Sequence, residues 1–389
     1  MRDYPLQIGS PLTYAEVNLK AIRSNLQQIR HLSSQNKFSL PRRKHLNTVD
    51  VLAVVKADAY GHGMKEVSRL LSREGVNFFA VSDAAEGIYL RKAGIKKKIL
   101  LLESNLPSEA KLISDYDLIP TVSSWESAIA FEQYAQKTKK NISVQVKVDT
   151  GMGRFGVWHR EAFSFIQKLF SFQYLTIQGI YTHFPVAETD EAFTKRQIHC
   201  LHKLVVKLDK KGLIIPYIHA ANSMGLAGYE TEVLNLVRPG LMLYGLYPKP
   251  SLRNKIRLKE ALSVKSKVIF LKEIDKRRSV SYGRTFIAKR KMKVAVIPIG
   301  YSDGYLRHFS NKSFVLIEGK RCPVLGRVTM DQIVVDVSSL KDVRLAASVV
   351  ILGRQGAEII TADELAQYAK TINYEIVCSL GNRLPRCYI

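Results

Sequence analysis

The feature that most constrains this 389-residue chain is an alternation. Between about residue 50 and residue 245, short β-branched runs alternate with longer amphipathic or polar stretches. The runs lie at 51–56, 78–82, 99–102, 119–122, 144–148, 175–182, 217–220 and 236–238, with helical candidates at 64–73, 84–93, 124–136, 161–169 and 191–211. Strands that alternate with helices over such distances form βα units and a parallel sheet. Eight units in this length predict a closed (β/α)8 barrel of the TIM type, within the α/β class.

A helix over 19–32 precedes the barrel strands, followed by a polar, Lys- and Pro-bearing stretch at 33–47 that reads as a surface loop. After Pro248 the pattern becomes one of strands, at 262–271, 293–299, 313–317 and 332–337, with one late helix at 362–370. The expected division is a barrel over 12–245 and a mainly β C-terminal domain over 246–389, with residues 1–18 a candidate extra strand of the latter. At 46% hydrophobic and 24% charged residues, the chain has the composition of a folded globular protein.

Charge is the unusual property: 59 Lys+Arg against 34 Asp+Glu gives a formal +25. Short basic runs such as Lys96-Lys97-Lys98 and Lys276-Arg277-Arg278 are spread along the chain, with no basic arm and no nucleic-acid-binding signature. They read as solvated surface, and no nucleic-acid partner is expected. Cys200, Cys322, Cys378 and Cys387 include no C-x-x-C pair, so neither a disulfide framework nor a zinc site is expected. No apolar run reaches the roughly 18 residues of a membrane span, and the opening Met1-Arg2-Asp3-Tyr4-Pro5 lacks the apolar core of a signal peptide. The expected location is the cytoplasm, with no metal and no membrane.

Polar residues collect at the C-terminal ends of the proposed barrel strands, where barrel enzymes place their sites. Lys56 closes the first run. A long apolar approach would partly desolvate its amine and suit it as nucleophile or base, although an isolated strand-end lysine is more often simply solvated. The fifth run leads into Lys147-Val148-Asp149-Thr150-Gly151-Met152-Gly153-Arg154, a Gly-bearing loop with two cations that fits an anion or an ordinary charged turn equally well. The sixth delivers His183. The last two bring Ala221-Asn222-Ser223 and Arg238-Pro239-Gly240, in the loops that commonly bind phosphate in this fold; Ser223 can donate a hydroxyl and Gly240 an unobstructed amide.

A phosphorylated cofactor whose aldehyde condenses with a lysine accounts for both ends of this set, and pyridoxal 5'-phosphate is the candidate. Arg238 would face the pyridine nitrogen. A guanidinium does not give up its proton, so the ring would be a modest electron sink, favouring brief Cα deprotonation over a long-lived carbanion.

Val55-Lys56-Ala57-Asp58-Ala59-Tyr60-Gly61-His62-Gly63 resembles the cofactor-lysine motif of alanine racemases. The resemblance continues through Asp149–Arg154, Thr182-His183-Phe184, Ala221-Asn222-Ser223, Arg238-Pro239-Gly240, Val280-Ser281-Tyr282-Gly283, Gly300-Tyr301-Ser302-Asp303-Gly304, Met330-Asp331-Gln332 and Asn373-Tyr374-Glu375. It implies a pyridoxal-phosphate-dependent racemase that interconverts L- and D-alanine and supplies D-alanine for peptidoglycan. It also implies a head-to-tail homodimer with shared sites. By motif, Lys56 would hold the cofactor and act as one base, and Tyr282 of the second copy as the other. Tyr60, Ser223, Gly240 and Tyr374 would contact the phosphate, with Asn222 and Leu241 in the same cofactor-binding set and Arg238 at the pyridine nitrogen. Arg154 and Met330 would meet the substrate carboxylate, Tyr301 and Tyr374 would narrow the entrance, and His183 would link Tyr282 to Arg238. Lys147 matches a lysine often found carbamylated beside the substrate-binding arginine.

Racemisation needs two groups flanking Cα, because a single base returning its proton to the same face regenerates the starting enantiomer. A phenol ordinarily keeps its proton to about pH 10, so it serves as a base near neutrality only beside a cation such as Arg238. A broader amino-acid racemase is the main enzymatic alternative; a decarboxylase would place an acid against the pyridine nitrogen. A non-catalytic cofactor carrier would lack the second domain and its tyrosine, and a basic nucleic-acid binder would lack turnover. Two features depart from the family pattern: the length of the 33–47 stretch and the high basic charge.

Overall fold

The computed structural model describes residues 11–35, 49–229, 234–381 and 383–389. Most of the 33–47 stretch, and the first ten residues of the candidate strand region 1–18, lie outside the described residues. The chain divides into two compact units, one of Met1–Lys20, Tyr60–Gly63 and Glu260–Ile389, the other of Ala21–Ala59 and Met64–Lys259.

The chain starts with β1 (Tyr14–Val17) and α1 (Leu19–Ser34), then enters the barrel strands β2 (Asp50–Val54), β3 (Phe78–Val81), β4 (Lys98–Ser104), β5 (Ile119–Val122), β6 (Ile142–Asp149), a short β7 (Val157–Trp158), β8 (Leu175–Tyr181), β9 (Tyr217–His219) and β10 (Leu236–Val237). Their order in the sheet is β10-β2-β3-β4-β5-β6-β8-β9, with β7 attached to β6 off this path. The pairs along the path are parallel, as βα connections require. Every residue of Phe78–Val81 and Ile119–Val122 is buried. That is why these strands read as unbroken apolar runs: they are covered on both faces.

The ring is closed by Asn235. Its amide donates to the Ile218 carbonyl at 3.1 Å, its Oδ1 accepts from the Ile218 amide at 2.8 Å, and its carbonyl accepts from Asp50 N at 3.0 Å. A buried side chain thus supplies ladder bonds between β9 and β10 that two very short strands cannot make alone.

The connecting helices include α2 (Met64–Arg73), α3 (Ala84–Lys92), α4 (Ala110–Asp115), α5 (Trp125–Thr138), α6 (Ala162–Leu169), α7 (Glu191–Lys210) and α8 (Ser223–Gly228). In α2 the buried residues Met64, Val67, Leu70 and Leu71 fall on one face. Asp83, Ser124 and Asp190 cap α3, α5 and α7 by accepting from the amides of Glu86, Ser127 and Phe193. Such caps fix where each helix begins after its strand.

The other unit contains β11 (Leu262–Lys267), β12 (Phe270–Ile274), β13 (Ser279–Val280), β14 (Phe286–Ile287), β15 (Met292–Ile297), β16 (Phe314–Ile317), β17 (Lys320–Leu325), β18 (Ile333–Asp336), β19 (Ser348–Gln355), β20 (Glu358–Ile360), α9 (Ala362–Ala369), α10 (Asn373–Ser379) and β21 (Arg386–Tyr388). The sheet order is β12-β15-β18-β17-β16-β19-β11-β1-β21. The single strand expected over 262–271 is two strands. Val268 donates to Ala347 O and Ile269 to Val296 O, both at 3.0 Å, so the chain crosses from β11 to the β12 edge in two residues and the sheet curls back on itself. Ile274, Val280, Ala288, Met292, Val294 and Leu325 form an apolar cluster in this unit.

Candidate active site

Arg238, one residue past β10 and 4% exposed, is the hub of the barrel's strand-end layer. Its Nη1 lies 2.7 Å from His219 Nδ1, and its Nη2 lies 2.8 Å from Thr182 O, 2.9 Å from Ala220 O and 3.2 Å from His183 Nδ1. Guanidinium groups only donate, so both histidines accept through Nδ1 and carry their protons on Nε2. His219 Nε2 then donates to Gln145 Oε1 at 2.6 Å. Burial, with Arg238 and Lys147 as neighbouring cations, holds both imidazoles well below their usual range and neutral. Burial lowers Arg238 to about 10, which still leaves it a cation at neutrality. Tyr181 stacks on His219 at 4.9 Å and presents its face to the guanidinium at 5.3 Å.

Lys147 and Arg154 share a second cluster. Lys147 is 1% exposed on β6, and its Nζ lies 4.9 Å from the Phe155 ring, which Arg154 also approaches at 5.2 Å. Burial first, then repulsion from Arg238 and Arg154, brings the Lys147 amine down to about 7. The loop between them turns its amides inward: Asp149 Oδ1 accepts from Gly151, Met152 and Gly153 at 2.8, 2.9 and 3.2 Å. An incoming anion therefore meets the exposed Arg154 side chain rather than the loop backbone.

At the ends of β9 and β10, Ser223 Oγ accepts from the amides of Gly240 and Met242, each at 3.3 Å, with Leu241 between them. These bonds are long, and the hydroxyl hydrogen of Ser223 is left to donate. A hydroxyl donor at the end of these strands is one that a phosphate group takes. Asn222 contributes differently, since its Oδ1 caps α8 by accepting from Gly225 N at 2.8 Å.

Lys56 is not the last residue of its strand. β2 ends at Val54, and Lys56 opens a left-handed turn in which Ala57, Asp58, Ala59 and Tyr60 have φ of 52°, 52°, 55° and 53°. None is glycine, and left-handed geometry costs ~1–2 kcal/mol for each such residue. The turn is pinned: Ala59 N donates to Val55 O, Met64 N to Asp58 Oδ1, both at 2.8 Å, and Ala57 N to Glu86 Oε1 at 2.7 Å.

In the β-rich unit Tyr60 and Tyr374 lie together, ring centroids 6.1 Å apart, and burial beside Tyr374 raises the Tyr60 hydroxyl. Tyr301 and Met330 are also brought together: Tyr301 N donates to Thr329 O at 3.0 Å and Ser302 N to Met330 O at 3.1 Å. Gly300 permits this approach, because a Cβ there would overlap the Met330 carbonyl. Tyr282 sits on the turn between β13 and β14, held by Ser281 Oγ donating to Arg327 O at 2.5 Å, with its ring 72% exposed.

The expected residues thus fall into the groups Arg238–His183, Lys147–Arg154, Ser223–Gly240–Leu241, Tyr60–Tyr374 and Tyr301–Met330. Sequence reasoning missed His219 and Gln145, the rest of the Arg238 network, and Asp149 as the brace of the Arg154 loop. Polar residues inside a buried strand, as in the Gln145 and Lys147 positions of β6, were the available signal.

The family profile described as "Alanine racemase, N-terminal domain" matches residues 17–248, and that described as "Alanine racemase, C-terminal domain" matches 261–388. The alanine racemase of Halothermothrix orenii is 41% identical over 377 residues, covering 97% of this chain and 96% of the relative. An alanine racemase structure from Clostridium difficile superposes with a TM-score of 0.90 at 33% identity, covering 98% of this chain and 97% of that one. A Bartonella henselae alanine racemase structure "with covalently bound pyridoxal phosphate" gives 0.83 at 26% identity, covering 98% and 100%. With both halves matched in order and the likeness running over nearly its full length, the chain belongs to the alanine racemase family.

Proposed function

We propose that this protein interconverts L- and D-alanine, with pyridoxal phosphate at the barrel mouth and two bases, Lys56 and Tyr282, on opposite faces of the substrate Cα. The observation that carries this reading is Arg238, a buried permanent cation fixed among strand ends and hydrogen-bonded to a neutral histidine. Pyridoxal phosphate, on which the alanine racemase family depends, supplies an aldehyde that condenses with amines and a conjugated ring that draws electrons from the Cα–H bond. The residues present fit it: the donor hydroxyl of Ser223 suits its phosphate, a role that the family motif gives to Tyr60 and Tyr374 as well. Arg238 suits its ring nitrogen, and Lys56 its aldehyde.

Lys56 Nζ and Tyr282 Oη each take or return the α-proton on their own face. His183, proton on Nε2 and Nδ1 anchored by Arg238, donates toward the phenolate oxygen when Tyr282 gives up its proton. Arg238 holds its own proton throughout, keeping the electron sink weak and reprotonation fast. Arg154 binds the substrate carboxylate, and the family motif gives Met330 a part in the same contact and Tyr301 the entrance. A Lys147 amine near 7 is substantially neutral at working pH, the form that adds CO2 to give an anionic carbamate facing Arg154.

Tyr282 is supplied by a second copy of the chain. Its exposed ring, and exposed Ile287, Tyr301 and Met330 in the same unit, are large apolar side chains of the kind a partner covers. No helix of the described residues is long and apolar enough to cross a membrane; a cytoplasmic enzyme supplying D-alanine to peptidoglycan synthesis completes the reading. The test is circular dichroism of L-alanine and, separately, D-alanine incubated with cofactor-loaded protein. Both signals decay to zero if the reading is right; a persistent signal beside a bound cofactor overturns it.

A further inference from the structure

We infer that Glu86 is a positioning residue for Lys56: its carboxylate bridges the ends of two barrel strands and holds the left-handed turn that aims the lysine. This inference rests on the assignment of Lys56 as cofactor lysine and base. Glu86 lies on the third residue of α3, where the pattern Asp83-x-x-Glu86 reads as an ordinary capping box. Asp83 does its part, Oδ1 accepting from Glu86 N at 2.9 Å. The glutamate does not return to the cap residue's own amide. Its Oε2 accepts from Ser82 N at 2.8 Å and its Oε1 reaches 29 residues back to Ala57 N at 2.7 Å.

Ala57 is the first left-handed residue after Lys56. Residues held in such conformations persist only when their surroundings over-determine them. Two charge-assisted bonds to one carboxylate tie the turn after β2 to the end of β3. Burial raises the Glu86 carboxyl while the two amides and Lys56 favour its ionised form. A glutamine of the same shape would serve one amide and turn an N–H2 toward the other.

The comparison that tests this is Glu86→Gln against Asp83→Ala, both of which disturb the start of α3 while only the first touches Ala57. In holoenzyme, Glu86→Gln is expected to lower kcat for alanine racemisation about 100-fold, the scale of misplacing a reacting group by an ångström. It is also expected to speed deuterium uptake by the peptide covering 55–63 and to slow borohydride-trapped attachment of pyridoxal phosphate to Lys56. Asp83→Ala is expected to lose a similar thermal midpoint and keep kcat, exchange and attachment within about twofold. Equal losses in both variants would reduce Glu86 to a helix cap and overturn the inference, as would Glu86→Gln with wild-type kcat and exchange. Wild-type protein that leaves alanine optically active, or that traps the cofactor on another lysine, defeats the parent assignment and this inference with it.

Discussion

The site residues of the barrel unit and those of the β-rich unit are built to opposite rules. At the barrel mouth Arg238 and His219 are buried and hydrogen-bonded to one another within the chain, and His183 beside them is neutral through burial. In the β-rich unit Tyr282, Tyr301 and Met330 are 72%, 44% and 53% exposed. The first set is held by contacts within the chain, and its geometry is part of the fold's stability. The second set is presented on stiff turns and has no such role in its own chain. Damage should therefore separate: substitutions in the buried Arg238–His219 network ought to cost both stability and turnover, substitutions of the exposed β-unit residues turnover alone.

The largest effect is expected at Lys56. Lys56→Ala should abolish borohydride-trapped cofactor attachment and lower racemisation by at least about 10⁴-fold, the upper range for losing a positioned acid–base group. Because the lysine side chain is not part of the hydrogen bonds that pin its turn, the thermal midpoint should fall little. Mass spectrometry showing the cofactor attached elsewhere would break the scheme.

Tyr282→Phe is next, with a loss of about 10²–10⁴-fold in kcat in both directions. Cofactor attachment should survive, and stability should stay within about 0.5 kcal/mol of wild type, as for exposed positions generally. Exchange with D2O sharpens the test. One enantiomer, approached by Lys56, should still trade its α-proton for deuterium without inverting, and the other should not. Full activity in Tyr282→Phe, or in protein held monomeric by dilution as judged by sedimentation, would sink the shared-site reading.

Arg238→Lys bears on the barrel half. An ammonium cannot reproduce contacts to two histidines and two carbonyls, so buried acceptors lose partners at ~1–3 kcal/mol each. Urea titration should show a stability loss of at least about 2 kcal/mol alongside a fall in kcat of about 10–100-fold. A variant that loses turnover but keeps wild-type stability would show that the network is a functional ornament on an independent core.

The same contrast governs what could be read beforehand. The eight barrel strands were legible because strands covered on both faces leave unbroken apolar runs, and their ends were placed within two or three residues. The β11–β12 break was not, since the alternation continues through Val268 and Ile269 while the hydrogen-bond partners change. The left-handed turn after Lys56 gave no local sign, as Ala57, Asp58 and Ala59 carry none of the glycine that such backbone favours. His219 and Gln145 stand 74 residues apart, and only barrel closure brings them together. The exposed residues of the β-rich unit were legible solely through family resemblance, for a tyrosine on a hairpin turn has no burial pattern to betray it.

The prediction that probes the barrel rule most finely concerns Lys147. The unfolded chain keeps this lysine's proton to about pH 10.4, whereas the folded chain releases it near 7. Between those values the unfolded state binds more protons, so stability rises with pH through this group. Below 7 the full penalty of burying a cation beside Arg238 and Arg154 is present; above 10.4 it is gone. Lys147→Met removes the titrating group, so in CO2-free buffer the variant's stability should vary less between pH 7 and 10 and gain most on wild type near pH 6. Bicarbonate should stabilise the wild type alone, by trading the unfavourable cation for a carbamate opposite Arg154, and ¹³C-labelled bicarbonate should report that adduct by NMR. Parallel pH profiles for the two proteins, with no labelled adduct, would mean that Lys147 is solvated like the exposed residues of the other unit and that the contrast between the two halves stops short of β6.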